Sequence, residues 1–132
     1  MNLIDIVGPV MVGPSSSHTA GAVRIGLISR RLLGEPVAEA RIYMHGSFAA
    51  TGKGHGTDRA LVAGLLGMQV DDERIPMSFK YAAGKKMVYS FHTIELVEAH
   101  PNSVKLVLTG IAGKQLEIVA ASVGGGQIQI CE

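Results

Sequence analysis

The sequence predicts an α+β domain, with helices grouped in the first half and packed on a mainly antiparallel sheet drawn largely from the second half. Three observations predict it. The length of 132 residues suits one compact domain with a modest core and is short for two. Residues 19–33 repeat apolar side chains at helical spacing, whereas three runs in the last third are rich in Val, Ile, Leu, Phe and Tyr and bounded by turn residues.

The elements follow in order. Leu3 to Val7 is long enough for one helical turn, after which Gly8, Pro9, Gly13 and Pro14 break regular structure and lead into the loop Ser15-Ser16-Ser17-His18-Thr19. From Thr19 to Leu33, Ala20, Val23, Leu27 and Ile28 fall at i, i+3, i+7 and i+8, the spacing of a buried stripe. Arg24, Arg30 and Arg31 are expected on the surface of that helix, with Ser16 or Ser17 as N-cap and Gly34 as the stop. Val37 to Met44 alternates, with Ala38, Ala40, Ile42 and Met44 expected to face the core. A second helix is expected over Asp58 to Leu66, burying Leu61, Val62 and Leu65 and ending at Gly67. Asp71-Asp72-Glu73 then reads as a surface loop, and Met77 to Ala83 as a short helix. Lys86 to Ile94, Ser103 to Gly110 and Lys114 to Ser122 read as antiparallel strands, the last two joined by a hairpin turning at Ala112-Gly113. Gln127 to Cys131 is a final strand. There is no internal repeat and no low-complexity linker.

Composition excludes several classes of function. Twelve Lys and Arg against 11 Asp and Glu leave a formal charge of +1, without the basic excess that neutralises rows of phosphates, so nucleic acid is not an expected partner. A hydrophobic share of 47% is incompatible with a disordered polar tail. The single cysteine, Cys131, rules out an intrachain disulfide framework, a four-cysteine zinc site and a self-contained iron-sulfur ligand set. The N-terminus has no basic n-region, and no stretch approaches the roughly 18–20 apolar residues of a membrane span, which makes a soluble cytoplasmic protein the expectation. The 17 glycines, with no Trp, direct attention to the loops.

Two loops carry residues suited to chemistry. In Gly13-Pro14-Ser15-Ser16-Ser17-His18-Thr19-Ala20-Gly21, hydroxyl groups and unsatisfied backbone N–H groups meet at a helix start, where the dipole favours an anion such as a carboxylate or phosphate. The alternative is that one serine caps the helix and the others are solvated turn residues. In Gly52-Lys53-Gly54-His55-Gly56-Thr57-Asp58, three glycines give close access to an imidazole suited to general acid-base work. The alternative is that these glycines serve tight turns around an ordinary exposed histidine.

Other motifs are weaker. Gly52-Lys53 lacks the spaced glycine and the following Ser or Thr of a P-loop. Ser17, His18, His55 and Asp58 have the residue types of a hydrolase triad without the Gly-x-Ser-x-Gly elbow. His18, His45 and His55 lack the i, i+3 or i+4 pairing of a regular metal site, so no metal ligands are assigned. His92, His100 and Cys131 read as structural.

Taken together, the first loop and the run His45-Gly46-Ser47-Phe48-Ala49-Ala50-Thr51-Gly52-Lys53-Gly54-His55-Gly56-Thr57-Asp58 resemble the beta chain, or beta domain, of the bacterial iron-sulfur-dependent L-serine dehydratases. The resemblance extends over residues 1–132, including Val123-Gly124-Gly125-Gly126-Gln127-Ile128. It implies an L-serine ammonia-lyase that forms pyruvate and ammonia, active only with an alpha chain that holds a 4Fe-4S cluster whose open iron acts as Lewis acid. It further implies that His55 removes the α-proton of L-serine, that His18 belongs to the catalytic set, and that Ser16, Ser17, Thr19, Lys53, Thr57 and Asp58 bind substrate. An α-proton beside a carboxylate is a poor acid, so such a reaction needs a placed base and electrophilic help, and these residues can offer only the first.

Split beta chains of this family commonly continue into an ACT domain, for which these 132 residues have no counterpart. The family's beta fold also resembles the allosteric substrate-binding domain of some phosphoglycerate dehydrogenases. That likeness supplies the competing expectation, a non-catalytic module that binds an amino acid or another anion. Homodimer formation is left open by the sequence.

Overall fold

The computed structural model describes residues 16–45, 56–95, 103–124 and 127–131. Helix α1 spans Ser16–Leu33, strand β1 Val37–Met44, helix α2 Thr57–Leu65, helix α3 Ser78–Gly84 after a 3-10 turn at Ile75–Met77, and strand β2 Val88–Thr93. Strands β3 (Ser103–Gly110), β4 (Gln115–Gly124) and β5 (Gln127–Cys131) follow. The five strands form one sheet in the order β2-β1-β3-β4-β5. The expected α+β class and the β3–β4 hairpin, with Gly113 at φ 94°, are therefore present.

One strand runs the other way from expectation. β2 was expected to join an antiparallel set, and it pairs parallel to β1 instead, from Glu39 with Val88 to Met44 with Thr93. The chain between β1 and β2 holds α2 and α3, and such a helical crossover returns the chain to the starting end of the neighbouring strand. All other pairs are antiparallel.

One face of the sheet carries the core: Ala40, Ile42 and Met44 of β1, Val104, Leu106 and Leu108 of β3, and Ile118 and Ala120 of β4. The predicted alternation holds from Ala40 onward. At the start of β1 the register shifts between Val37 and Glu39, which buries Val37 and leaves Ala38 half-buried. The opposite face is mostly half-buried, with Arg41, Val88, His92, Gln115 and Glu117 exposed. It carries His92 stacked on Tyr43 at 4.8 Å between ring centroids, a 2.9 Å hydrogen bond between Ser90 Oγ and His92 Nε2, and a 3.1 Å Lys105–Glu117 ion pair.

α1 begins at Ser16, earlier than the expected Thr19, and ends where Gly34 takes φ 83° and donates its N–H to the Arg30 carbonyl at 3.1 Å. The turn after it is tied to the β3–β4 hairpin. Ile111 N–H donates to the Pro36 carbonyl at 3.0 Å, and Ala112 N–H donates to the Glu35 carboxylate. α1 therefore has its C-terminus at the hairpin end of the sheet and runs along β4 toward the other end. Eighteen residues give it a length of about 27 Å, enough to cross the sheet.

α2 is buried at every position except Arg59. It meets α1 where two glycines face each other: a Cβ on Gly26 would stand 2.6 Å from the Leu61 carbonyl oxygen, and one on Gly64 would overlap the Val23 carbonyl. One turn further on, the guanidinium of Arg30 on α1 lies against Gly67, so beyond the crossing the two helices continue in the same general sense. α3 is fixed to α2 by Ser78 Oγ donating to the Arg59 carbonyl at 2.8 Å, and to β2 by Phe79 stacked on Tyr89 at 5.1 Å. The expected surface loop at 71–73 includes Asp72, which accepts hydrogen bonds from Arg74 Nε and Nη2 at 2.9 and 2.7 Å, and this pairing lowers its pKa to about 2. Among the described residues no helix is long and apolar enough to cross a membrane.

The glycine contact is a packing constraint with a measurable cost. Gly26→Ala and Gly64→Ala each add a methyl against backbone that cannot swing aside, and each should cost about 3 kcal/mol. Thermal denaturation should show a drop in Tm of about 10 °C for either variant. Gly84→Ala, where nothing lies within 4 Å of the added Cβ, should leave Tm near its starting value.

Candidate functional site

Strand direction gathers several chain ends at one end of the sheet. Met44 pairs with Thr93 and Val104, and Ser103 with Ala121, so the ends of β1 and β2, the start of β3 and the last third of β4 lie side by side. His45 N–H donates to the Ser103 carbonyl at 3.0 Å and closes this edge. α1 and α2 both run away from this end, so both helix N-termini stand above it. A helix N-terminus carries about half a positive charge, and both helices turn that end toward this edge of the sheet.

The first turn of α1 is built from Ser16, Ser17, His18 and Thr19. Their backbone is helical, and their side chains lie outside the described residues. The four residues therefore form the opening helical turn, where the sequence reading placed most of them in the loop before it. The first turn of α2 contains Thr57 and Asp58, both buried. Asp58 Oδ1 accepts the Arg59 N–H at 2.8 Å, and its carboxylate satisfies one of the donors exposed at the helix start. Gly56 precedes them with φ 87° in the left-handed region, and its carbonyl accepts the Ala60 N–H at 2.9 Å. Lys53 and His55 lie outside the described residues, as does the whole of 46–55, which joins His45 to Gly56. The structure thus brings the Ser16–Thr19 turn and the Thr57–Asp58 turn to one end of the fold. Among the described residues no three His, Cys, Asp or Glu side chains group as a metal site.

Sequence reasoning missed one residue. Arg24 was expected on the surface of α1, and it is only 6% exposed, with Nε buried and without a hydrogen-bond partner. Burial pushes its pKa down, yet arginine begins so high that it keeps its charge. The salt bridges found among the described residues, Arg74–Asp72 and Lys105–Glu117, do not involve it. The missed signal is its placement: Ala20, Arg24 and Ile28 recur every four residues, and all three are buried.

A two-layer α+β domain whose paired helix starts carry Ser-Ser-His-Thr and Thr-Asp turns is the class of protein defined here. Comparison with known proteins assigns the family. The family described as "Serine dehydratase beta chain" matches residues 3–87, and the chain belongs to it. The "Probable L-serine dehydratase, beta chain" of Bacillus subtilis is 45% identical over 131 residues, which is 99% of this chain and 59% of that protein. The "L-serine dehydratase, beta chain" of Peptoniphilus asaccharolyticus is 46% identical over 127 residues, 96% of this chain and 57% of that one. The "L-serine dehydratase 1" of Escherichia coli is 41% identical over 76 residues, 51% of this chain and 16% of the longer protein. The chain thus spans less than three fifths of the length of the beta chains it matches.

The backbone at Gly56 supplies a direct check on how α2 starts. A Cβ there meets nothing within 4 Å, so the requirement for glycine comes from φ 87° alone. Gly56→Ala should destabilise the chain by about 1–2 kcal/mol, and Gly56→Asn by less, because asparagine tolerates the left-handed region. Chemical denaturation should give the order Gly, Asn, Ala.

Proposed function

We propose that this chain is the beta component of an L-serine ammonia-lyase that converts L-serine to pyruvate and ammonia, acting in the cytoplasm together with an alpha chain that holds a 4Fe-4S cluster. The observation that carries this reading is membership of the serine dehydratase beta chain family, with both motif turns at one end of the fold. The residues here do not fit the cluster itself. The sequence has one cysteine, Cys131, and such clusters are held mainly by cysteine thiolates, so the ligands must come from outside these 132 residues.

In this reading His55, two residues before Thr57, is the base that takes the α-proton of L-serine, with His18 as a second catalytic group. Ser16, Ser17 and Thr19 at the start of α1, and Lys53, Thr57 and Asp58 at the start of α2, bind and orient the substrate. Two helix N-termini attract the substrate carboxylate and stabilise the negative charge that grows beside it as the proton leaves. A placed imidazole contributes about 10²- to 10⁴-fold to such a proton transfer.

The other reading is a module that binds an amino acid or another anion without catalysing a reaction. It draws support from the same helix ends, which favour an anion whether or not a reaction follows. Co-expression with an alpha chain, followed by an anaerobic serine deaminase assay, separates the two. The enzyme reading expects pyruvate only from the pair, and His55→Ala should lower turnover by at least about 100-fold while the chains still co-purify. Full turnover in His55→Ala would remove His55 from the reaction, and failure of the pair to form pyruvate would favour the binding module.

A further inference from the structure

We propose that Arg24 is a carboxylate-binding residue that positions a small 2-amino or 2-oxo acid on the face of α1 leading to its N-terminal turn. The identity of the acid rests on the serine dehydratase reading; the existence of the seat does not.

Arg24 is a charge out of place. Arg24 is 6% exposed and its Nε has no hydrogen-bond partner. A buried guanidinium without an anion is among the costlier arrangements in a fold, and proteins usually retain one when a ligand or partner supplies the missing charge. The side chain is also turned away from the α1–α2 crossing. At about 100° per residue, Arg24 stands about 160° around the helix from Gly26. Ala20, Arg24 and Ile28 then share one face, at i, i+4 and i+8, and all three are buried.

Direction follows from helix geometry. Long side chains on a helix lean toward its N-terminus, so the Arg24 guanidinium reaches back about one turn, over Ala20, toward the opening turn. Ala20, itself buried, ends at Cβ and is the smallest side chain on that path. The helix N-terminus and the guanidinium then act on the same space, and both favour an oxyanion. A planar guanidinium takes a carboxylate through two parallel hydrogen bonds, which fixes orientation as well as charge.

The test uses the chain labelled with 15N, following the Arg24 Nε–Hε signal and the Tm during titration with L-serine, pyruvate, inorganic phosphate and L-serinamide, which has no carboxylate. L-Serine and pyruvate should move the signal and raise Tm, whereas L-serinamide should do neither. R24M, similar in volume and uncharged, should melt no lower than the parent without ligand, because it removes an unpaired buried charge. It should bind L-serine at least about 10-fold more weakly, and R24K should recover part of the loss.

Four results would overturn the proposal: a signal that moves with no carboxylate, a signal that responds to phosphate alone, R24M binding L-serine like the parent while melting lower, or R24M losing only its hold on an alpha chain. The last would assign the missing carboxylate to a partner's acidic side chain. Arg24-dependent binding of L-serine and pyruvate in a chain whose alpha-chain pair deaminates nothing would uphold the seat and refute the dehydratase reading.

Discussion

The contact between Gly26 and Gly64 is the constraint on which the rest of the arrangement depends. Neither position has room for a single additional carbon, because backbone atoms of the facing helix occupy the place a Cβ would take. Without side chains between them, α1 and α2 approach closely along one line, and Arg30 against Gly67 fixes the sense of that line. The hydrophobic core then holds the pair on one face of the sheet through Ile25, Leu61, Val62, Leu65 and the strand residues Ile42, Leu106 and Leu108. Two helices of the same sense turn both positive dipole ends toward one end of the sheet, and the chemistry proposed for this chain begins there.

The same geometry explains why the domain is asymmetric. The hairpin end of the sheet is closed by ordinary structural bonds, with Glu35 and Pro36 accepting N–H groups of Ala112 and Ile111. Arg30 and Arg31 lie in the last turn of α1, the usual place for cations at a helix C-terminus. The opposite end holds the two motif turns, so these turns and the structural contacts of the hairpin are separated by the length of α1.

Much of this was legible in the sequence, for identifiable reasons. The Gly34 stop, the Gly67 stop and the β3–β4 hairpin depend on local spacing and turn chemistry, which a sequence displays directly, whereas the α1 stripe was legible only in part: Leu27 is half-buried, and Ala22 and Ile25 outside the stripe are fully buried. The direction of β2 was not legible, because strand composition does not record which neighbour a strand will join, and the crossover through α2 and α3 decides it. The shift at Val37 is similarly a property of pairing with β3. Arg24 was misplaced because arginine is assigned to the surface by default, although its four-residue spacing from Ala20 and Ile28 puts it on a buried face. The two motif loops were legible as motifs; what the fold adds is that their helices start at the same end.

That shared end is the central claim, and paramagnetic relaxation tests it most directly. A nitroxide attached at Arg59→Cys, in the first turn of α2, with Cys131→Ser removing the native thiol, reports on the amides of α1. Side-by-side helices of the same direction predict strong broadening from Ser16 to Val23 that fades toward Leu33. Broadening that grows toward Leu33 would mean opposed helices and would contradict the placement of both motif turns at one end of the fold.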